Sequence, residues 1–366
     1  MNFKLVFKLT GKVLLVEGFC MLLPLLVSLA YREDPRPFLY TIPLLLIAGG
    51  LLSLLKPKDH FYAREGFFSV GLIWMLISLF GGLPFFFCGY FPTFADCFFE
   101  SASGFTTTGA SILPAVEGLP YGILFWRSFT HWLGGMGVLV LTIALLPSLG
   151  NRTLHLMKAE SPGPIVSKLV PKTSQSSKIL YGIYCALTLI QILCLKLAGM
   201  PLFDSVVHAF GAAGTGGFSI KNASIGAYGN PAIEIIITVF MLLFSINFAM
   251  YFLLLCGKWK QVLKSDELRF FLGVVAVSIL LISVNLSTSQ GGMSLGDTVR
   301  HAAFQVASII STTGYSSVDF DLWPEFSRFL LVILMFIGAC AGSTGGGLKC
   351  SRVLLMFKGL KREIHQ

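Results

Sequence analysis

One short sequence pattern occurs three times along this chain of 366 residues. The copies read Thr107-Thr108-Gly109-Ala110-Ser111, Thr215-Gly216-Gly217-Phe218-Ser219 and Thr312-Thr313-Gly314-Tyr315-Ser316. Each copy follows an apolar segment too short to cross a bilayer and precedes one that is long enough. Because an internal repeat reflects one structural unit used several times, we expect three units, each containing a helix, a short helix, a loop and a second helix.

The residue types in these stretches suit the dehydration of a cation. Backbone carbonyls can replace the water around an ion when the loop that carries them is irregular and faces inward. Glycine tolerates the backbone angles that such a loop requires, and threonine adds a hydroxyl acceptor. We name the loops filter 1 (105–111), filter 2 (213–219) and filter 3 (311–316). The alternative is three polar surface loops, which their matched positions in a repeat disfavour.

Composition places the chain in a membrane. Only 12% of its residues are charged and 55% are hydrophobic, whereas soluble domains carry about 25% charged residues. The net charge of +9 comes from basic residues in short loops between apolar runs, which is the positive-inside pattern, so no nucleic-acid partner is predicted. The eight cysteines are scattered without a metal-binding spacing, and no hydrolytic motif is present. The sequence therefore predicts neither an enzyme nor a bound cofactor.

The predicted fold is an all-α integral membrane protein, with an N-terminal helix hairpin followed by three repeats of helix, pore helix and helix. The hairpin spans 12–31 and 38–55, with lysines before and after it, so both of its ends are predicted to be cytoplasmic. The predicted units are 1–60, 61–160, 161–262 and 263–366. The other predicted elements are spans at 66–90, 122–147, 179–200, 231–257 and 270–287 and pore helices at 94–104, 203–212 and 298–310.

Polar residues occupy matched positions on the predicted pore helices. Nine residues before each filter glycine stand Glu100, His208 and Gln305, which we predict to support the filters. Arg127, in an apolar span, is predicted either to pair with Glu100 or to anchor its helix at the interface. Thirteen residues before each glycine stand Asp96, Asp204 and His301, and the two aspartates are typical helix-start caps.

A glycine-rich run interrupts the last apolar segment, from Gly338 to Lys349. It differs from a phosphate-binding P-loop, because Leu348 separates the last glycine from Lys349 and no strand precedes the run. Flexible backbone beside an aqueous path explains it better, and a helix end followed by a cytoplasmic tail is the simpler alternative. Lys349 is predicted to oppose cations when this path is closed.

These motifs together resemble the Trk/Ktr/HKT superfamily of cation transporters, and most closely the membrane subunit of bacterial Trk potassium uptake systems. The resemblance covers nearly the whole chain. The segments that carry it are Gly104–Gly109, Trp132–Gly137, Ala159–Pro164, Gly216–Ser219, Ser311–Tyr315 and Gly338–Lys349.

The resemblance implies a potassium uptake subunit, with K⁺ as the transported ion, in the bacterial inner membrane, with both termini cytoplasmic. It further implies a cytoplasmic nucleotide-binding regulatory subunit and a homodimer, with lipid around it. By family position, the filter residues are Thr107, Thr108, Gly109, Thr215, Gly216, Gly217, Thr312, Thr313 and Gly314. The gate residues are Gly338, Gly342, Ser343, Thr344, Gly345, Gly346, Gly347 and Lys349.

The family pattern has four pore units, whereas this sequence shows three. The run from Gly338 to Lys349 follows Gly314 too closely to be a fourth filter, so the fourth unit is expected to be absent. Two other functions remain open from the sequence. One is a relative that carries or is coupled to Na⁺, and the other is a non-conducting scaffold or regulatory fragment.

Overall fold

The computed structural model describes residues 2–56, 63–137, 173–289 and 293–364, and these residues form helices and the loops between them, with no strand. The chain divides into two compact units, Met1–Tyr181 and Gly182–Gln366. The all-α fold predicted from the sequence is confirmed. The predicted boundaries of the four sequence units remain predictions.

The first unit contains the N-terminal hairpin and the first filter. Its helices within the described residues up to 137 are α1 (Phe3–Cys20), α2 (Leu22–Ala30), α3 (Arg36–Ser53), α4 (Ala63–Gly81), α5 (Leu83–Cys88), α6 (Phe94–Phe105) and α7 (Tyr121–Gly135). Helix α6 is the first pore helix. The predicted span 122–147 begins as α7, and the rest of it, with most of the predicted basic loop 148–178, lies outside the described residues.

The second unit contains filters 2 and 3. Helix α8 (Thr173–Leu197) leads into it. The helices that follow are α9 (Leu202–Ala213), α10 (Pro231–Phe244), α11 (Phe248–Leu255), α12 (Trp259–Leu263), α13 (Asp266–Ser289), α14 (Leu295–Ile310), α15 (Glu325–Ile337) and α16 (Cys350–Ile364). Helices α9 and α14 are the second and third pore helices.

Five segments of the described chain are long and apolar enough to cross a membrane. They are Phe3–Ala30, Arg36–Ser53, Arg64–Cys88, Ser177–Leu197 and Asp266–Ser289. Each overlaps a predicted span. The chain is therefore a multi-pass membrane protein.

The predicted span 231–257 is not one continuous helix. Helices α10 and α11 meet at an angle of 90°. The Asn247 side chain accepts a hydrogen bond from Ala249 N at 2.9 Å, so it caps a new helix. Two backbone groups that the break leaves without a partner inside a helix bond to the run that begins at Gly338. Ser245 O accepts from Cys340 N at 3.1 Å, and Phe248 N donates to Gly342 O at 3.0 Å.

The N-terminal hairpin depends on a close helix crossing. A Cβ atom on Gly11 of α1 would lie 2.7 Å from Gly49 O of α3, and one on Gly49 would lie 2.8 Å from Gly11 O. Such backbone contact is how small residues bring membrane helices together. The turn between α2 and α3 also caps α7, because Glu33 accepts hydrogen bonds from Tyr121 N at 2.9 Å and Gly122 N at 3.1 Å.

We expect Gly11→Ala to destabilise the protein by about 1–3 kcal/mol, the usual cost of forcing a methyl group into a packed interior. Gly50→Ala on α3 is the matched control, since a Cβ there meets nothing within 4 Å. Thermal unfolding of the purified protein measures both. Equal melting temperatures for the two variants would contradict the close crossing.

Candidate functional site

The three filters share one backbone conformation. Thr107, Thr215 and Thr312 have φ angles of 54°, 54° and 62°. The filter glycines Gly109, Gly217 and Gly314 have φ angles of 75°, 77° and 84°. A threonine in the left-handed region is uncommon. Because it recurs at the same position in all three repeats, this backbone conformation is a structural feature of the repeat.

Each pore helix stops at the same place relative to its filter. The last helical residues are Phe105, Ala213 and Ile310, each four positions before the filter glycine. The next hydrogen bonds are also equivalent. They are Thr108 N to Ser103 O, Gly216 N to Gly211 O and Thr313 N to Ser308 O, all at 2.9 Å.

This pattern is a helix end of the Schellman type, in which a left-handed residue lets the chain turn back and satisfy a carbonyl of the last turn. The left-handed position is usually glycine, and here it is threonine in all three filters. The helix C-terminus carries a partial negative charge. Each pore helix therefore brings that charge to the start of its filter, which favours a cation there.

Filter 1 is held by a buried ion pair. The Glu100 carboxylate is fully buried and accepts from Arg127 Nε at 2.5 Å. It also accepts from Ser111 Oγ at 2.9 Å and from Ile112 N at 3.0 Å. Arg127 is therefore paired with Glu100, which was one of the two alternatives from the sequence, and Glu100 holds the downstream end of filter 1.

Filter 2 has an equivalent contact made by a different side chain. His208 Nε2 lies 2.9 Å from Ser219 Oγ, and His208 Nδ1 lies 2.8 Å from Asp204 O. Because a carbonyl can only accept, Nδ1 is the donor, and in the neutral ring Nε2 accepts from the serine hydroxyl. Both Glu100 and His208 therefore hold a serine two residues after the filter glycine.

Filter 3 departs from this scheme. Gln305 Nε2 donates to Val318 O at 3.3 Å, beyond the equivalent serine, Ser316. The filter is instead held by Ser308, whose hydroxyl donates to Tyr315 O at 2.6 Å. The Tyr315 hydroxyl reaches His208 O at 3.0 Å and Phe218 O at 3.2 Å, so it ties filter 3 to filter 2.

Filters 2 and 3 touch each other directly. A Cβ atom on Gly217 would overlap the Thr313 carbonyl oxygen. Gly217 is therefore required twice, once by its positive φ and once by the close approach of the neighbouring filter. The sequence predicted this glycine but not the contact that fixes it.

The third pore helix is anchored by charges that sequence reasoning missed. Arg300 Nε lies 2.8 Å from Glu234 Oε2 of α10, and Arg300 Nη1 lies 2.6 Å from Asp297 Oδ1. Hydrogen bonds from the Ser294 hydroxyl and then from Arg300 hold the pKa of Asp297 below its usual value. Of the residues in this charge cluster, sequence analysis had singled out His301, whose Nδ1 lies 3.7 Å from Glu234 Oε2.

The aspartates at the pore-helix starts are structural. Asp96 forms a capping box with Thr93, since its carboxylate accepts from Thr93 N at 3.0 Å and Thr93 Oγ1 accepts from Asp96 N at 3.2 Å. Asp204 Oδ2 accepts from the Tyr228 hydroxyl at 2.6 Å. The partners in these contacts, Thr93 and Tyr228, both lie outside the filters.

The glycine-rich run is not helical. Helix α15 ends at Ile337 and α16 begins at Cys350, so the break coincides with the residues predicted from the sequence. We name Gly338–Lys349 the gating segment, after the role predicted for it from the sequence. Its φ angles are positive at Gly338, Gly342 and Gly347, which glycine adopts at little cost, and also at Lys349.

The gating segment is bonded to filters 2 and 3. Thr215 Oγ1 donates to Thr344 O at 3.1 Å, and Gly346 N donates to Thr312 Oγ1 at 2.7 Å. The two threonines concerned are the left-handed ones that begin each filter. Lys349 Nζ donates to Gly345 O within the segment.

We expect Arg127→Ala to destabilise the protein by about 3–5 kcal/mol, because it leaves the buried Glu100 carboxylate without its charged partner. Arg36→Ala is the control, since Arg36 pairs with Asp34 at 2.9 Å on an exposed surface, where ion pairs contribute little. Thermal unfolding distinguishes the two. An Arg127→Ala protein as stable as Arg36→Ala would contradict a buried, tightly paired Glu100.

Comparison with known proteins agrees with these features. Residues 37–366 match the TrkH family model, described as a cation transport protein. The "Trk system potassium uptake protein TrkH" of Escherichia coli (strain K12) is 40% identical over 371 residues, covering 100% of this chain and 77% of that protein. The protein of the same name from Halomonas elongata is 36% identical over 378 residues, with the same coverage.

A solved structure agrees as well. The crystal structure of the potassium transporter TrkH from Vibrio parahaemolyticus has a TM-score of 0.88 at 34% identity, covering 100% of this chain and 77% of that one. The resemblance inferred from the motifs is confirmed, and the function class is a transporter, not an enzyme. The chain therefore belongs to the TrkH family of cation transport proteins.

Proposed function

We propose that this protein takes up potassium ions across the bacterial inner membrane through its filters. The observation that carries this proposal is the common geometry of the three filters, each placed at the C-terminus of a buried pore helix. Its similarity to proteins named for potassium uptake gives the ion. In this proposal K⁺ is the cargo and no other cofactor is needed.

The chemistry of the filters supports a large, weakly hydrated cation. Neutral backbone carbonyls can replace its water without binding it too tightly to leave. The proposed ion ligands are the carbonyls of Thr107, Thr108, Thr215, Gly216, Thr312 and Thr313. The nearby charged groups Glu100 and Arg127 are paired with each other, and Glu100 bonds to the end of filter 1. In this proposal they stabilise the loop conformation, and the backbone carbonyls bind the ion.

The gating segment is proposed as the barrier on the cytoplasmic side of the filters. Its support is a pair of hydrogen bonds to filters 2 and 3, in which Thr215 Oγ1 donates to Thr344 O and Gly346 N donates to Thr312 Oγ1. Backbone at this depth must have its polar groups satisfied, and these contacts do so in the closed arrangement. Opening requires the segment to leave the two threonines.

The partners follow from the charge of the cytoplasmic ends. Lys260 lies in the short helix α12, and Lys258 and Lys264 stand at its two ends. This basic surface is proposed to receive the cytoplasmic regulatory subunit. A homodimer and cytoplasmic termini, both implied by the family, are part of the same proposal.

Uptake of K⁺, or of its tracer ⁸⁶Rb⁺, in bacterial cells that lack their own K⁺ uptake systems tests the proposed function. We expect growth at low K⁺ and tracer uptake when the protein is expressed. Uptake that depends on Na⁺ would favour the Na⁺-coupled alternative. No uptake with the protein present in the membrane would contradict the proposal.

A glycine series tests the filters themselves. We expect Gly217→Ala to reduce K⁺ uptake at least about tenfold, because both its φ angle and the Thr313 carbonyl exclude a side chain, and a strained backbone conformation costs about 1–3 kcal/mol. Gly314→Ala has the same φ constraint but open space, so its loss should be smaller. Gly182→Ala on α8, with nothing within 4 Å of its Cβ, should transport normally. Equal uptake by Gly217→Ala and Gly182→Ala would contradict the role of Gly217.

A further inference from the structure

We propose that Glu267 is a latch for the gating segment, a positioning residue whose carboxylate holds that segment closed beneath filters 2 and 3. The inference rests on the gate proposed above and adds the residue that controls it. Glu267 lies outside the repeat motifs and outside the gating segment itself.

The latch is one short hydrogen bond. Glu267 is the second residue of α13, and its Oε1 accepts from Ala341 N at 2.6 Å. Ala341 lies within the gating segment and is only 5% exposed. A buried backbone donor is almost always paired, so this carboxylate satisfies a group that the irregular segment cannot pair for itself.

Within the described residues, the other hydrogen bonds that join the segment to the α10–α11 region and to filters 2 and 3 are neutral. They are the bonds between Cys340 N and Ser245 O, Phe248 N and Gly342 O, Thr344 Oγ1 and Phe244 O, Thr215 Oγ1 and Thr344 O, and Gly346 N and Thr312 Oγ1. A hydrogen bond to an ionised acceptor is roughly twice as strong as a neutral one. Glu267 therefore makes the strongest single tether in this set.

The segment needs such a tether because its own backbone can change conformation at little energetic cost. It contains five glycines, and glycine moves between left- and right-handed conformations at little cost. The contacts around the segment therefore determine whether it stays in place. Among them, the hydrogen bond from Ala341 N to the Glu267 carboxylate contributes most to the stability of this arrangement.

The position of Glu267 also connects the latch to the surface. The preceding helix, α12, ends at Leu263, and Arg269 Nε donates to Leu263 O at 2.7 Å. This bond ties α12 to the first turn of α13, on which Glu267 stands. A cytoplasmic partner that displaces α12 would therefore displace Glu267 from Ala341 and release the segment.

The neighbouring residue provides a matched control. Asp266 is also a carboxylate at the start of α13, but its Oδ2 pairs with Lys358 Nζ at 2.6 Å, with both side chains more than half exposed. Removal of this carboxylate changes the same helix end and the same charge without touching the Ala341 contact.

Alkylation of the native cysteines tests the latch without requiring transport. Cys340 lies in the gating segment and is 1% exposed, whereas Cys97, on the first pore helix, is fully buried. Peptide-resolved mass spectrometry follows the rate at which each reacts with a water-soluble maleimide in the purified protein. The proteins compared are the wild type, Glu267→Ala, Glu267→Gln and Asp266→Asn.

We expect Cys340 in Glu267→Ala to react about tenfold faster than in the wild type, the ratio that loss of a hydrogen bond to a charged group gives at the lower end of its range. Glu267→Gln keeps an oxygen acceptor without the charge, so its rate should fall between the two. Asp266→Asn should match the wild type. Cys97 should react equally slowly in all four proteins, which separates opening of the gating segment from general unfolding.

Equal Cys340 rates in the wild type and both Glu267 variants would overturn the latch, as would an equal rise in Asp266→Asn. If Glu267→Ala does not fold, the Glu267→Gln protein gives the answer. Tracer uptake measured beside the labelling keeps the two proposals apart. Faster Cys340 labelling without any ion uptake would support the latch and reject the proposed transport, whereas uptake with unchanged labelling would reject only the latch.

Discussion

The filters depend on how each pore helix ends. One hydrogen bond, from the residue before the filter glycine to a carbonyl five positions earlier, closes the helix after a left-handed threonine. In a bilayer no water satisfies the backbone groups that a helix end exposes, so this closure is what permits a loop to begin at membrane depth. The same closure fixes the direction of the chain that follows, and hence the orientation of the filter.

The side chains that hold the filters are less uniform than the backbone. Filter 1 uses the Glu100–Arg127 ion pair, filter 2 uses the His208 imidazole, and filter 3 is held mainly by Ser308 and Tyr315. A buried charge is costly unless it is fully paired, and the full set of bonds to Glu100 meets that condition. One loop geometry is thus stabilised by three different local chemistries, which is possible because the helix end already determines it.

Sequence reasoning found the features that repeat or that break a strong periodicity. It located the pore helices to within a few residues and the break from Gly338 to Lys349, and it gave the pairing of Glu100 with Arg127 as one of two alternatives. It missed the bend between α10 and α11, because Ser245 and Asn247 are ordinary residues in an apolar run. It also missed Arg300–Glu234 and Glu267–Ala341, whose partners are 66 and 74 residues apart. A carboxylate at a helix start is typical of a cap, so Glu267 gave no signal of its distant contact.

The most direct test of the central claim is the anomalous scattering of crystals of this protein grown with Rb⁺ in place of K⁺. The proposed function predicts Rb⁺ peaks within coordination distance of the filter carbonyls, including those of Thr215, Gly216, Thr312 and Thr313. Rb⁺ peaks confined to surface carboxylates, with none at the filters, would contradict it.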